Sequence, residues 1–108
     1  MIVIRRAKEY QGIVSIYFGN MHHLLYHRII LNTLSDDLKC ELLSYDDLIT
    51  DIDCKLRWNG IEFDLNHHYI FGNHIVALPN NADALEKLAN QAADIINGRI
   101  GQRELEFP

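Results

Sequence analysis

Seven carboxylates lie within a stretch of eighteen residues and form the strongest chemical feature of the chain. They are Asp36, Asp37, Glu41, Asp46, Asp47, Asp51 and Asp53. Only one cation, Lys39, lies among them, and the rest of the chain sums to about plus one against a net charge of -5. A local anionic field steers a basic macromolecule into encounter and repels nucleic acid, whose phosphate backbone is itself anionic. The run therefore indicates either a surface for a basic protein partner or a plain solvated face.

Metal binding is a second chemistry that such residues offer. The acidic run lacks the central glycine and the alternating acids of an EF-hand loop. Six histidines could instead bind zinc, particularly His22-His23 with His27 and His67-His68 with His74. His23 and His27 would lie one turn apart on a helix but roughly 13 Å apart on a strand. No cysteine or carboxylate stands at a matching spacing. We expect no metal site and no cofactor, and keep a small histidine-rich metal-binding or metal-sensing protein as the alternative.

Catalytic motifs have no counterpart in the sequence. It contains no Gly-x-Ser-x-Gly elbow, no His-Glu-x-x-His pair and no glycine loop that would cradle phosphate. Side chains such as His67, His74, Tyr69 and Asp64 could still converge in the folded protein, which leaves an enzyme of unknown chemistry as a third interpretation. We expect a protein that is not an enzyme. Nucleic-acid binding is disfavoured because the basic residues are scattered and the net charge opposes contact with phosphate.

Length and composition favour a single soluble domain. A chain of 108 residues buries roughly 65% of its unfolded surface, and two prolines with six glycines argue against disorder. No stretch approaches the roughly 18 apolar residues of a membrane span, and the N-terminus lacks a signal-peptide pattern, so we expect a cytoplasmic protein that contacts no membrane. Cys40 and Cys54 are expected to be free thiols, with Cys54 on the buried face of a strand.

A β-hairpin is predicted over residues 54–65. The dipeptide Asn59-Gly60 favours a type I′ turn of two residues, which places Trp58 opposite Ile61 and fixes every further pair, leaving one face apolar. A second hairpin is expected between segments 69–71 and 74–78, turning at residues 72 and 73. In this pairing, the even-numbered residues of segment 74–78 (His74, Val76 and Leu78) would lie on the same face as the odd-numbered residues of segment 61–71. Segment 66–68 could interrupt the strand that runs from 61 to 71.

The clearest helix is predicted over residues 81–97. Its apolar stripe consists of Leu85, Leu88, Ala89, Ala92, Ile95 and Ile96. Pro79 ends the preceding strand, and Gly98 predicts a left-handed stop after the helix. Residues 99–108 are expected to be a loosely held tail.

The N-terminal half predicts strands at 2–6 and 12–18, with a turn at 8–11. Segment 21–31 is expected to be a further strand, and a helix is the competing prediction because its apolar residues could also share one stripe. The segments Ser35-Asp36-Asp37 and Ser44-Tyr45-Asp46-Asp47 each resemble a helix start, with a serine cap followed by acids in the first turn. One or two short helices are therefore expected in the acidic run. The predicted class is α+β: an antiparallel sheet of about five strands built from hairpins, with a C-terminal helix and one or two short helices packed on it.

Tyr45 lies within the acidic run, and an aromatic ringed by carboxylates suits an arginine- or lysine-rich target. The expected partner-binding residues are Asp36, Asp37, Glu41, Tyr45, Asp46, Asp47, Asp51 and Asp53. In size, charge and this acidic run, the chain resembles the immunity proteins of bacterial contact-dependent growth inhibition and related polymorphic toxin systems. That resemblance implies an inhibitor that binds a basic nuclease toxin domain and covers its active cleft. It transfers no residue role and leaves the oligomeric state open.

Overall fold

Six strands and two helices make up the described part of the chain. A computed structural model describes residues 1–21 and 23–106, with side chains described as far as residue 100. In chain order the elements are β1 Val3–Arg6, β2 Val14–Gly19, α1 Leu24–Asn32, a π-helical turn Thr33–Asp37, β3 Glu41–Asp47, β4 Asp51–Trp58, β5 Ile61–His68, β6 Gly72–Ala77, a 3-10 turn Pro79–Asn81 and α2 Ala82–Glu106. The strands form one antiparallel sheet in the order β1-β2-β6-β5-β4-β3. The predicted α+β class is confirmed, with six strands in place of about five.

The hairpin of β4 and β5 has the predicted turn and register. Asn59 and Gly60 both adopt positive φ angles, +49° and +78°, as a type I′ turn requires. Trp58 pairs with Ile61, and the pairing continues in step through Cys54 with Leu65. The N-terminal hairpin of β1 and β2 is confirmed as well.

The second hairpin differs from the prediction in its turn and in its faces. Strand β5 continues without a break to His68, which pairs with Gly72, so the turn is residues 69–71. The His68 ring Nδ1 accepts the main-chain N–H of Ile70 at 3.1 Å, which stabilises this longer turn. The pairing is therefore shifted by an odd number of residues, which moves every side chain of β6 to the other face. Ile75 and Ala77 point into the core, and the predicted even-numbered set does not.

Segment 21–31 forms a helix from Leu24, so the favoured strand prediction is wrong and the competing helix prediction is right. Strand β2 is paired with β1 on one side and with β6 on the other, which leaves no edge for a further hairpin partner. The His23 side chain also caps the helix by accepting the N–H of Leu25 at 3.1 Å.

The acidic run does not form the one or two short helices that were expected. Asp36 and Asp37 lie in the π-helical turn that continues α1, at the C-terminal end of a helix rather than at the start of one. The rest of the run belongs to β3 and β4, which pair over residues 41–57 with a bulge between Leu42 and Ser44. Strand β4 would otherwise leave one row of main-chain groups unpaired, and β3 satisfies them.

Helix α2 begins at Ala82, directly after the 3-10 turn that Pro79 opens. Its predicted stripe is buried apart from Ile95, which is half-buried. The predicted stop at Gly98 is wrong, because the helix continues to Glu106 through most of the expected tail, of which residues 107 and 108 lie outside the described residues. Ile100 still packs against the core.

Both helices lie on one face of the sheet and leave the other face open to solvent. Along β4, Ile52, Cys54 and Leu56 are buried under the helices, whereas the alternate residues are exposed. Cys40 and Cys54 are both buried free thiols, as expected. No helix in the described part of the chain is long and apolar enough to cross a membrane.

Candidate functional site

The eight predicted partner-binding residues do not form one surface. Asp37 is held by Arg99, whose Nη2 lies 2.7 Å from the carboxylate, and this hydrogen bond lowers the pKa of Asp37. Glu41 is paired with Arg57 at 3.1 Å on the exposed face of the sheet. Asp36 lies beside Asp37 on the π-helical turn, far along the chain from the β3–β4 turn. Asp36 and Asp37 therefore lie at one place in the fold and Glu41 at another, and neither place is the β3–β4 turn.

The other five predicted residues lie together on the distal half of the β3–β4 hairpin. They are Tyr45, Asp46, Asp47, Asp51 and Asp53. Asp46 and Asp53 are directly opposite each other on the open face of the sheet. Tyr45 and Asp47 pair with buried residues of β4 and therefore lie on the helix face. We call these five residues the acidic hairpin.

The acidic hairpin holds most of its charge without internal compensation. Among the described residues, no Lys, Arg or His nitrogen lies within 4.0 Å of the carboxylates of Asp46, Asp47 or Asp53. Asp51 is the exception, since its Oδ1 lies 3.6 Å from Nε2 of His68. Like charges directly opposite on a sheet repel each other, so Asp46 and Asp53 form a pair that destabilises the isolated protein.

The turn of the acidic hairpin is strained and apolar. The N–H of Thr50 donates to the Leu48 carbonyl at 2.8 Å, which closes a three-residue γ-turn around Ile49. Ile49 has φ +73°, a rare conformation for a β-branched residue, and its side chain is 95% exposed. Backbone strain of this kind is concentrated at functional sites. Leu48 and Ile49 were not among the residues predicted from the sequence to bind a partner, although two apolar residues between acidic strand ends are a readable signal.

Further exposed apolar residues lie at the same end of the sheet. Asp51 pairs with His68, so the turn of the acidic hairpin lies beside the β5–β6 turn, where Tyr69, Ile70 and Phe71 are each at least 60% exposed. The start of α1 is tied to this end as well, because Asn73 Nδ2 donates to the Met21 carbonyl at 2.8 Å. The exposed Leu24 and Leu25 follow. We call this region the loop end: the acidic hairpin with residues 48–50, residues 69–71 and the start of α1.

A cleft of about 570 Å³ lies between α1 and the acidic hairpin. Tyr45 and Asp47 form part of its wall on the sheet side, and Arg28 lines it from α1. Ile52 and Leu31 supply apolar surface. Its size falls within the range of about 300–1,000 Å³ typical of ligand pockets, and it could equally accept a side chain from a partner protein.

A buried polar cluster lies beneath this cleft. His27 Nε2 lies 3.5 Å from the Leu65 carbonyl and 4.0 Å from Cys54 Sγ. His67 Nδ1 is 2.9 Å from Asn73 Oδ1. Burial lowers the pKa of His27 and raises the pKa of Cys54 to about 11. A neutral histidine beside a protonated thiol makes no thiolate nucleophile at neutral pH, so the cluster connects α1 to the sheet rather than providing a reactive group.

The four side chains that could have formed a catalytic group are divided between the two faces of the sheet and the β5–β6 turn. His67 is buried on the helix face, whereas His74 lies on the open face, with its ring 5.2 Å from that of Tyr17. Tyr69 is in the exposed β5–β6 turn, and Asp64 is on the open face opposite Lys55. In the described part of the chain, no group of three or more His, Cys, Asp or Glu side chains could hold a metal ion.

No protein-family model, curated protein or solved structure matches the chain. Any functional assignment therefore rests on the geometry and charge of the molecule.

Proposed function

We propose that this protein is an inhibitor of the immunity type, which binds a basic nuclease toxin domain in the bacterial cytoplasm and covers its active cleft with the loop end. One observation carries the proposal: uncompensated carboxylates and exposed apolar side chains are brought together at one end of the sheet. The apolar part alone includes Leu48 and Ile49, which have 55% and 95% of their surface exposed. Contiguous exposed apolar surface of this kind marks interaction sites.

The two kinds of surface have complementary roles in such a complex. A nuclease needs a cationic cleft to hold phosphate, and the carboxylates of Asp46, Asp47 and Asp53 can occupy that cleft in place of phosphate. Close charge pairs in a protein inhibitor complex have shown couplings of roughly 1.5–7 kcal/mol. The apolar turns around them exclude water, which strengthens those pairs.

The proposed surface is smaller than the one expected from the sequence. Asp37 and Glu41 already have intramolecular cations, and a partner would have to break these pairs to use them. The acidic hairpin requires no such exchange at Asp46, Asp47 or Asp53. We therefore assign partner binding to the acidic hairpin and exclude Asp37 and Glu41 from the proposed contact. We also exclude Asp36, which lies beside Asp37 on the π-helical turn and outside the acidic hairpin.

Co-expression with the product of the neighbouring reading frame tests the proposal. We expect that product to be a basic protein that arrests growth, and we expect co-expression of this chain to restore growth through a stoichiometric complex. The double variant Asp46→Lys/Asp47→Lys should lower the association rate at least tenfold at low salt and make its salt dependence shallower.

Asp94→Lys is the matched control for the single variant Asp46→Lys, because Asp94 is exposed on α2 and the two variants change the net charge by the same amount at different positions. Asp94→Lys should leave the association rate within about twofold of the wild-type value, whereas Asp46→Lys should lower it. Equal binding by the wild type and the double variant would show that the interface lies elsewhere. A neighbouring product that neither binds nor arrests growth would remove the toxin assignment.

A further inference from the structure

The two edges of the sheet differ in length and in charge, and the residue just before β1 is tied down. At the β1 edge, the Asn97 side chain accepts the N–H of Ile2 at 2.7 Å and donates to the Ile2 carbonyl at 3.1 Å. Strand β1 has only four residues, and two of them, Arg5 and Arg6, are cations of the kind that protect edges from pairing. Strand β3 has seven residues, all but one exposed, and contains no lysine, arginine or proline.

The register shows which groups of β3 are free. The two-residue turn after Trp58 makes the pair of Trp58 and Ile61 a hydrogen-bonded one, so the even-numbered residues of β4 bond to β5 and the odd-numbered ones to β3. The bond from Leu48 N to the Asp51 carbonyl agrees with this alternation. The N–H and C=O groups of Tyr45 and Asp47 therefore point away from the sheet. No partner for them lies among the described residues.

The charges on β3 decide what kind of strand can pair there. Asp46 lies on the open face beside Asp53, and Asp47 lies on the helix face, so both faces of an added strand would meet a carboxylate. A second copy of this chain would bring its own Asp46 and Asp47 to within about 5–8 Å of these acids, which is unfavourable for like charges. A strand with lysine or arginine opposite Asp46 would instead relieve the repulsion between Asp46 and Asp53.

We infer that residues 44–47 of β3 accept a basic strand of the partner protein by main-chain strand addition. The inference rests on the proposed function for the existence of a basic partner, and it adds the mode of recognition. Main-chain hydrogen bonds to Tyr45 and Asp47 supply affinity, and adjacent cations on the added strand, one for each face, supply specificity. The bulge between Leu42 and Ser44 limits the regular edge to the distal half of β3.

Two substitutions at one position isolate the main-chain contribution. Tyr45→Pro removes an outward N–H without touching a bond to β4, and all four carboxylates remain. Tyr45→Ala removes the same side chain but retains the N–H. The probe is an acetylated, amidated heptapeptide with two adjacent arginines flanked by valine and threonine, and its control carries glutamates in place of the arginines. We expect the proline variant to bind the basic peptide at least about fivefold more weakly than the alanine variant.

Amide hydrogen exchange in the wild-type protein gives a second measurement that does not depend on the folding of the proline variant. Addition of the basic peptide should slow exchange at Tyr45 and Asp47, whose amides point outward, and leave Ser44 and Asp46 unchanged because they are already bonded to β4. Strand addition would be overturned if exchange at Tyr45 and Asp47 were not slowed, or if the two variants bound the arginine peptide equally well. It would also be overturned if the glutamate peptide bound, or if the arginine peptide did not bind. So would a wild-type dimer that Tyr45→Pro dissociates, since the edge would then belong to a second copy.

The two proposals fail in different ways. If Tyr45→Pro and Tyr45→Ala gave the same growth rescue and the same charge-dependent binding, the inhibitor function would be retained and strand addition would be removed. If the arginine peptide bound with the predicted exchange pattern but the neighbouring product did not bind, strand addition would be retained and the inhibitor function would be removed.

Discussion

Replacing Asp46 by lysine should stabilise the isolated protein, even though it is expected to weaken partner binding. Asp46 and Asp53 are directly opposite on the open face, and both are exposed. A cross-strand charge pair is worth roughly 0.2–1 kcal/mol, and a like-charge pair costs a similar amount. Asp46→Lys removes the repulsion and adds an attraction, so we expect the free energy of unfolding to rise by about 0.5–1.5 kcal/mol. For a domain of this size, 1 kcal/mol corresponds to roughly 4 °C in melting temperature.

Thermal and urea unfolding at low and high salt check this value. At 1 M salt the screening length is about 3 Å, shorter than the spacing of neighbouring strands, so the gain should fall to a few tenths of a kcal/mol. Asp46→Asn should give about half of the low-salt gain, because it removes the repulsion alone. The double variant Asp46→Lys/Asp53→Lys restores a like-charge pair and should return the stability to near the wild-type value. A lysine variant that is no more stable than the wild type at low salt would refute the like-charge reasoning.

Three further predictions concern stability and reactivity. Burial lowers the pKa of both His27 and His74, so the unfolded chain binds protons more readily than the folded one, and stability should fall as pH drops below about 6.5; His27→Leu should remove the His27 part of the dependence of melting temperature on pH between 7 and 5 and leave the His74 part. Gly98→Ala should raise the free energy of unfolding by about 0.5–1 kcal/mol because its site in α2 is open, whereas Gly19→Ala should lower it because the new Cβ would lie 2.9 Å from a β1 carbonyl oxygen; urea unfolding compares the two. Burial raises the pKa of the Cys40 and Cys54 thiols to about 11, so a disulfide reagent at pH 8 should modify neither in the native protein and both after unfolding.

Local signals predicted the parts of the fold that depend on neighbouring residues. The Asn59-Gly60 turn fixed the register of β4 and β5, because a two-residue turn leaves only one pairing. The stripe of α2 was readable because burial repeats with the helical period. The turn before β6 was predicted at residues 72 and 73, but it lies at residues 69–71. Gly72, with φ +76°, also fits the position directly after this longer turn, where it pairs with His68.

Long-range pairing decided the parts that were predicted wrongly. Segment 21–31 has apolar residues compatible with a strand, but β6, which begins only at Gly72, occupies the free edge of β2. The acidic run reads as helix starts, yet it supplies the edge strand that β4 lacks. Five of the eight predicted site residues lie together because they share the distal half of that hairpin. The exposure of Phe71 could not be read from the sequence, since it depends on which elements leave the loop end uncovered.

The paired hydrogen bonds between Asn97 and Ile2 have a consequence for how the protein is made. They join residues 95 positions apart, so Ile2 cannot be held by Asn97 until the chain has been synthesised through most of α2. Until then, β1 has its pairing with β2 but lacks the cover of α2. A topology of this kind folds slowly because distant segments must meet before their contacts repay the entropy of closing the loop. The nascent protein therefore passes through a period in which chaperones and proteases can compete with its final closure.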